Sequence, residues 1–186
     1  MTQPVSVTGK ANMWASFNGW LQTNVPNTLG GGFTYNFDQA LDPAVMPRVD
    51  VNEFKFFDPG DSAMGGMIFP ANPLGVTQGK EQRAVVELNI RADGNQQANA
   101  LQLVRQLRDW IMYALINAGV ADSVTGAVLV PPIYILDGSS AQTGIICRVM
   151  TEVDNAIIEN YYQPEAGQGL IHRFQILARL EWYEMR

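Results

Sequence analysis

The sequence predicts an α+β fold: a mostly antiparallel sheet, an N-terminal helix and one long central helix packed on one side, and a long hairpin arm. Residues 10–25 and 95–118 repeat apolar side chains at spacings of three and four, as amphipathic helices do. Segments 84–91, 143–153 and 170–184 alternate apolar and polar side chains, which is typical of half-buried strands. Two helices are too few to connect every pair of strands, so the pattern favours α+β over α/β.

The first quarter of the chain predicts one helix and two strands. The apolar face of the N-terminal helix consists of Met13, Trp14, Phe17, Trp20 and Leu21. Pro26 ends this helix, because proline cannot donate the next backbone hydrogen bond. After a glycine-rich turn, residues 33–38 alternate aromatic and polar side chains, and residues 48–57 form the next extended segment.

The central helix has the clearest pattern in the chain. Its expected buried stripe consists of Ala100, Leu103, Val104, Leu107, Ile111, Ala114, Leu115 and Ala118. Polar residues and Tyr113 fall on the opposite side. Asp93 or Asn95 is the expected N-cap and Gly119 the expected stop. A helix of this kind covers one face of a sheet.

The remaining third of the chain predicts strands. Residues 126–136 are apolar on both faces but are interrupted by Pro131 and Pro132, which indicates an edge strand or a bent strand. A turn at 138–140 leads into segment 143–153. The last segment, 170–184, is a long strand with one apolar and one polar face.

Length and composition restrict the function classes. The 186 residues fit one domain, 1–186, with a core of ordinary size. The net charge is −6 and no run of Lys or Arg occurs, so tight electrostatic binding to nucleic acid is not expected, although DNA could pass through a channel. No apolar run reaches about 18 residues and no signal peptide is present, so no membrane association is expected. One cysteine indicates synthesis in a reducing cytoplasm.

The residues that commonly carry catalysis are scarce. His172 is the only histidine and Cys147 the only cysteine, so no familiar zinc site can be built within one chain. A strand histidine and a buried structural thiol are the simpler interpretations. Segment 75–81 only faintly echoes a phosphate-binding loop, since its glycine spacing is short and Glu81 replaces Ser or Thr. We therefore expect no enzyme, no metal site and no cofactor.

Residues 58–82 combine eight Gly and Pro residues with a cluster of apolar side chains. The segment lies between two predicted strands and is longer than ordinary loops, so it predicts a hairpin arm ordered by a partner. A loop folded back onto its own sheet is the alternative. The apolar residues expected to contact a neighbouring subunit are Met64, Met67, Ile68, Phe69 and Leu74.

The order of elements resembles the tail terminator (tail completion) proteins of tailed bacteriophages. The matching pieces are the helix at 12–25, the extended segment 47–57, the strand and long helix at 85–119, and the closing strand at 172–184. The resemblance implies a virion protein, made in the host cytoplasm, that forms a hexameric ring capping the tail tube. It also implies contacts with the tail tube protein and the neck or connector protein, with DNA only passing through the lumen. The sequence departs from the family in its proline-containing segment 126–140.

Two other functions remain open. The first is another neck, head-tail joining or tail tube protein, which would share this architecture. The second belongs to a different class, a small-ligand or peptide-binding α+β module that uses the apolar arm as a lid. Ring formation by the purified protein would favour the structural class, and ligand binding by a monomer would favour the second.

Overall fold

The computed structural model describes residues 9–28, 32–37, 45–57, 67–69, 77–96, 98–150, 157–162 and 171–185. The elements in chain order are α1 (Lys10–Asn24), β1 (Thr34–Phe37), β2 (Arg48–Phe57), β3 (Met67–Phe69), β4 (Thr77–Asp93), α2 (Ala100–Asn117), β5 (Ile133–Leu136), β6 (Gln142–Val149), β7 (Ile157–Tyr162) and β8 (Ile171–Met185).

The strands form a sheet in the order β1-β2-β4-β8-β6-β5, with β3 paired to β4 and β7 paired to β8. Its centre is the antiparallel pair β4–β8, which stays in register from Gly79 opposite Met185 to Asp93 opposite Ile171. Only the pair β1–β2 is parallel among the described strands. The predicted α+β fold with a mostly antiparallel sheet is therefore confirmed.

The apolar face of the sheet carries the core, and α2 covers it. Along β4 the buried side chains occupy every second position, from Ala84 to Ala92, and those of β8 do so from Phe174 to Trp182. The buried stripe of α2 consists of Ala100, Leu103, Val104, Leu107, Ile111, Ala114 and Leu115. Each large aliphatic side chain on that stripe contributes about 1.5–3 kcal/mol by leaving water. Because α2 covers the apolar face of the sheet, the polar side chains of β4 and β8 lie on the opposite face.

The helix α1 joins the two ends of the sheet. The hydroxyl of Tyr35 in β1 donates a hydrogen bond to the carbonyl oxygen of Val25, just after α1. On the other side, the backbone N–H of Leu136 in β5 donates to Ser16 Oγ at 2.9 Å. Because β1 and β5 stand at opposite ends of the strand order, the sheet must curl around α1 to make both contacts.

The hairpin of the predicted fold is formed along one edge of β4. Phe57 at the end of β2 lies opposite Arg83, and β3 continues along the same edge, with Met67 opposite Gly79 and Phe69 opposite Thr77. Both segments run antiparallel to β4, so the chain passes up this edge and returns along β4. Residues 58–66 and 70–76 of the predicted arm lie outside the described residues.

Several predicted boundaries were wrong. The central helix begins at Ala100 and not at 95, because Asp93 forms a turn of its own, in which Asp93 Oδ1 accepts the N–H of Asn95 at 2.8 Å. The N-cap is Asn99, so neither predicted cap residue holds that position. Strand β4 extends from 77 to 93, beyond the predicted 84–91, and β6 ends at Val149 instead of 153. Strand β7 was not predicted at all.

Candidate assembly surfaces

The residues predicted to contact a neighbouring subunit lie partly in β3. Met67, Ile68 and Phe69 make up this short strand and pair through their backbones with residues 77–79 of β4. Met64 and Leu74 lie outside the described residues. The three described members are therefore held on a sheet edge, where a second chain could approach them, but their docking on a neighbour stays a prediction.

Cys147 and His172, the two residues considered as catalytic or metal-binding candidates, have different surroundings. Cys147 is buried in β6, and burial raises the pKa of its thiol far above the ordinary value. A thiol with a raised pKa is a weak nucleophile at neutral pH. His172 is half-buried in β8 opposite Ala92. Among the described residues, no group of three His, Cys, Asp or Glu side chains could hold a metal ion.

A shallow cleft lies beside the start of α2. It has a volume of about 520 Å³ and is lined by Gly94, Asn99, Gln102, Arg105 and His172 among others. This volume is within the range of small-molecule sites, but such sites are usually enclosed and mainly apolar. The cleft opens broadly to solvent, so it offers a ligand little buried surface.

The outer side of α2 carries large apolar side chains that no described residue covers. Trp110, Tyr113 and Ile116 recur at a spacing of three and are 45–46% exposed. The rings of Trp110 and Tyr113 contact each other edge to face, with centroids 6.1 Å apart. The sequence pattern placed Tyr113 on the polar side of the helix, and it did not anticipate that Trp110 and Ile116 would extend this apolar strip.

The segment after α2 continues this apolar exposure. Residues 118–130 fold back on themselves through hydrogen bonds from Leu129 N to Val120 O at 2.9 Å and from Gly119 N to Val130 O at 2.8 Å. The tip is held by Asp122, whose Oδ1 accepts the N–H groups of Val124 and Thr125. The backbone N–H of Thr125, the hydroxyl of Thr125 and the N–H of Val124 all donate to this carboxylate, and they hold the pKa of Asp122 below its usual value. The exposed apolar residues of this loop are Val120, Val124, Val128 and Leu129.

We call Trp110, Tyr113, Ile116, Val120, Val124, Val128 and Leu129 the outer apolar surface. Single exposed apolar residues are common on soluble proteins. A run of seven on one helix and the loop that follows it is unusual, and surfaces of this kind generally mark contacts with other macromolecules.

The polar face of the sheet, on the side away from α2, collects arginines from four strands. Arg48, Arg91 and Arg173 lie directly opposite one another on β2, β4 and β8. Further along, Glu181 lies between Arg83 on β4 and Arg148 on β6. Arg179 occupies the same face of β8, two residues from Glu181. We call Arg48, Arg83, Arg91, Arg148, Arg173 and Arg179 the arginine face; it holds half of the chain's twelve basic residues.

Carboxylates and amides hold these arginines in place. Asp50 lies 3.2 Å from the Nε atoms of both Arg48 and Arg91, although the approach to Arg91 is an ion pair without hydrogen-bond geometry. Arg173 Nε donates to Asn89 Oδ1 at 2.9 Å, and its guanidinium lies 3.8 Å from Glu87. Burial and the neighbouring Arg173 and Arg48 lower the pKa of Arg91, while Asp50 opposes them. Like charges on adjacent strands are thus separated by acceptors.

Sequence reasoning missed the arginine face because no two of its members are neighbours in the chain. The signal was present as two arginines on the polar row of β4 and two on that of β8, but only the strand register brings them together. No described helix is long and apolar enough to cross a membrane. Comparison with known proteins adds nothing to this geometry, since no protein-family model and no curated protein matches the chain.

Proposed function

We propose that the chain is a virion structural protein, the subunit of a tail terminator ring that caps the tail tube of a bacteriophage and joins the tail to the neck. The observation that carries this proposal is the outer apolar surface. A protein that functions as a monomer gains nothing from exposing Trp110, Tyr113 and Ile116 together, whereas a ring subunit needs one surface that contacts its neighbours.

The fold and the charge support the same role. A curled, mostly antiparallel sheet backed by a long helix corresponds to the architecture that the resemblance implies. The net charge of the chain is −6, so a ring of six such subunits would bind DNA only weakly, and DNA could move through its lumen.

Assembly and tube capping provide the test. The purified protein should form closed rings by electron microscopy and native mass spectrometry, and rings added to polymerising tail tube protein should bind one tube end and stop elongation. Tubes that grow equally long with and without the protein would refute the terminator role. Rings that bind the neck protein but not the tube would instead indicate another head-tail joining protein.

A pair of variants connects this test to the outer apolar surface. Ile116→Glu places a charge on the exposed side of α2 and should prevent ring formation while the far-ultraviolet circular dichroism stays unchanged. Gln22→Glu adds the same charge to the exposed side of α1 and should assemble normally. If both variants form rings, the outer apolar surface is not the subunit contact.

A small-ligand-binding module is a second candidate, and the cleft beside α2 is the observation that favours it. Arg105 and His172 could bind an anionic group there. Gly94 in the cleft follows the end of β4, whereas β3 of the apolar arm pairs with residues 77–79 at the start of β4, so the two lie at opposite ends of this strand. A monomer that binds a small anion, with binding lost in Arg105→Gln, would support this function over the ring.

A further inference from the structure

We propose that the arginine face binds the acidic surface of a second copy of this chain, its guanidinium groups pairing with that copy's carboxylates. The inference rests on the proposed ring and adds a second, electrostatic contact to the apolar one. In a ring built from head-to-tail contacts, each subunit uses two different surfaces, and these must match each other.

Charge complementarity indicates a second copy as the partner. The side chains that the structure describes on the polar face of the sheet include six arginines and four carboxylates, which are Asp50, Glu87, Asp93 and Glu181, so these ten carry a net charge of +2. The net charge of the whole chain is −6, so the residues other than these ten together carry a net charge of −8. A second copy therefore carries an excess of carboxylates outside these ten side chains, and opposite charges orient the encounter of the two subunits.

The accessibility of the arginines fits a docking surface. The side chains of Arg83, Arg91 and Arg173 are 47%, 31% and 32% exposed, so their guanidinium groups reach the surface although they are anchored. Arg48 and Asp50 are almost fully buried beneath them. Anchored side chains lose less rotational freedom on binding, and each guanidinium has five N–H donors in a fixed plane that matches a carboxylate.

The same features favour a protein partner over nucleic acid. Binding to a phosphate backbone depends on several basic groups that are not compensated by acids, whereas this face interleaves Asp50, Glu87 and Glu181 with its arginines. The cations whose side chains the structure describes on this face are all arginines. Arginine is enriched and lysine depleted in protein–protein interfaces, because the planar guanidinium also packs against protein groups.

The test compares two double variants with a matched control. In Arg83→Gln/Arg148→Gln, two exposed arginines of the face lose their charge. Arg83→Lys/Arg148→Lys keeps the charge but removes the planar donors. Lys10→Gln removes one exposed charge from the start of α1, outside the arginine face. Assembly is followed by sedimentation velocity at low and high salt, with circular dichroism to confirm folding.

We expect the Gln double variant to assemble at a concentration about tenfold higher than the wild type, with a weaker salt dependence. The assembly concentration of the Lys double variant should lie between those of the wild type and the Gln double variant, and that of Lys10→Gln should stay within roughly twofold of the wild type. Unchanged assembly of the Gln variant, wild-type assembly insensitive to salt, or a wild type that stays monomeric would each overturn the inference. So would arginine-dependent binding of a short DNA duplex, measured by fluorescence anisotropy, which would assign the face to nucleic acid.

The outcomes separate this inference from the proposed function. Rings that depend on the arginines but do not cap tail tubes would support the contact and refute the terminator role. Rings that cap tubes and tolerate the Gln double variant would support the role and refute the contact.

Discussion

Asp50 Oδ1 lies 3.2 Å from Arg48 Nε, and the two side chains are only 5% and 8% exposed. Asn36 Nδ2 also donates to Asp50 Oδ1, at 2.8 Å. This buried pair supports the inner end of the arginine face, since Asp50 is shared with Arg91. Charged groups in such a place are tolerated only together, because removing one leaves the other without compensation in a poorly hydrated site.

Asp50→Asn should lower the free energy of unfolding by about 3 kcal/mol, since it removes the negative charge but keeps the size of the side chain. The matched control is Glu181→Gln, which neutralises a carboxylate 3.9 Å from a half-exposed Arg83. This control should lower the free energy of unfolding by less than about 1 kcal/mol, because solvent screens the interaction between Glu181 and Arg83. Urea denaturation measures both, and equal losses would contradict the assignment of Asp50 as the structural carboxylate.

The buried thiol of Cys147 should make the protein sensitive to alkali. Burial raises the pKa of Cys147, so the folded state holds this proton more tightly than the unfolded state. The resulting stability is fully present below the ordinary thiol pKa of about 8.5 and is lost as the pH rises above it, by up to about 1.4 kcal/mol per pH unit. Stability should therefore fall between about pH 8.5 and 10.

The variant Cys147→Ala should abolish the pH dependence in that window, whatever its effect at neutral pH. Tyr35 provides the matched control, because burial raises its pKa too, but the ordinary value for tyrosine is about 10. Tyr35→Phe should therefore leave the slope between pH 8.5 and 10 as in the wild type and reduce it only at higher pH. Denaturant titrations across this range decide the matter; parallel curves for wild type and Cys147→Ala would refute the prediction.

A hydrogen bond from Trp20 connects α1 to the segment before β5. Its Nε1 donates to the carbonyl oxygen of Pro131 at 2.7 Å, and the residue is 8% exposed. Trp20→Phe should destabilise the protein by about 0.5–1.5 kcal/mol, because it removes this partly buried hydrogen bond. Trp14→Phe makes the same change on a half-buried residue of α1 whose indole nitrogen bonds to no described residue. If Trp14→Phe lowered the free energy of unfolding as much as Trp20→Phe, the hydrogen bond from Trp20 to Pro131 would not be the cause of the destabilisation.

The sequence predicted the elements that depend on local periodicity. The stripe on α2 from Leu103 to Leu115 is buried as expected. Apolar residues that repeat every three to four positions lie on one side of a helix, and that side packs against one neighbouring layer. Strand β2 covers residues 48–57 as predicted, and Pro131 and Pro132 precede a strand at the edge of the sheet. In these places local pattern and tertiary packing favour the same structure.

The features that escaped prediction depend on contacts between distant residues. The parallel pairing of β1 with β2 and the curl of the sheet around α1 follow from tertiary packing, which no local pattern encodes. The arginine face arises from register, since Arg48, Arg91 and Arg173 are separated by 43 and 82 residues but lie side by side. The outer apolar surface was missed because the buried stripe already accounts for the amphipathic pattern of α2, and the side opposite a buried stripe is expected to be polar.

The hairpin arm carries the remaining prediction. Phe69 stands at the end of β3, opposite Thr77 on the edge of the sheet, and the sequence predicts that it docks on a neighbouring subunit. Phe69→Ser should then leave the monomer folded, with a free energy of unfolding within about 1 kcal/mol of the wild type, but prevent ring assembly. Phe69→Leu keeps an apolar side chain and should assemble. Circular dichroism with urea denaturation measures the first property and sedimentation velocity the second. If Phe69→Ser instead unfolds the monomer, the side chain belongs to the subunit's own core, and the arm folds back on its own sheet.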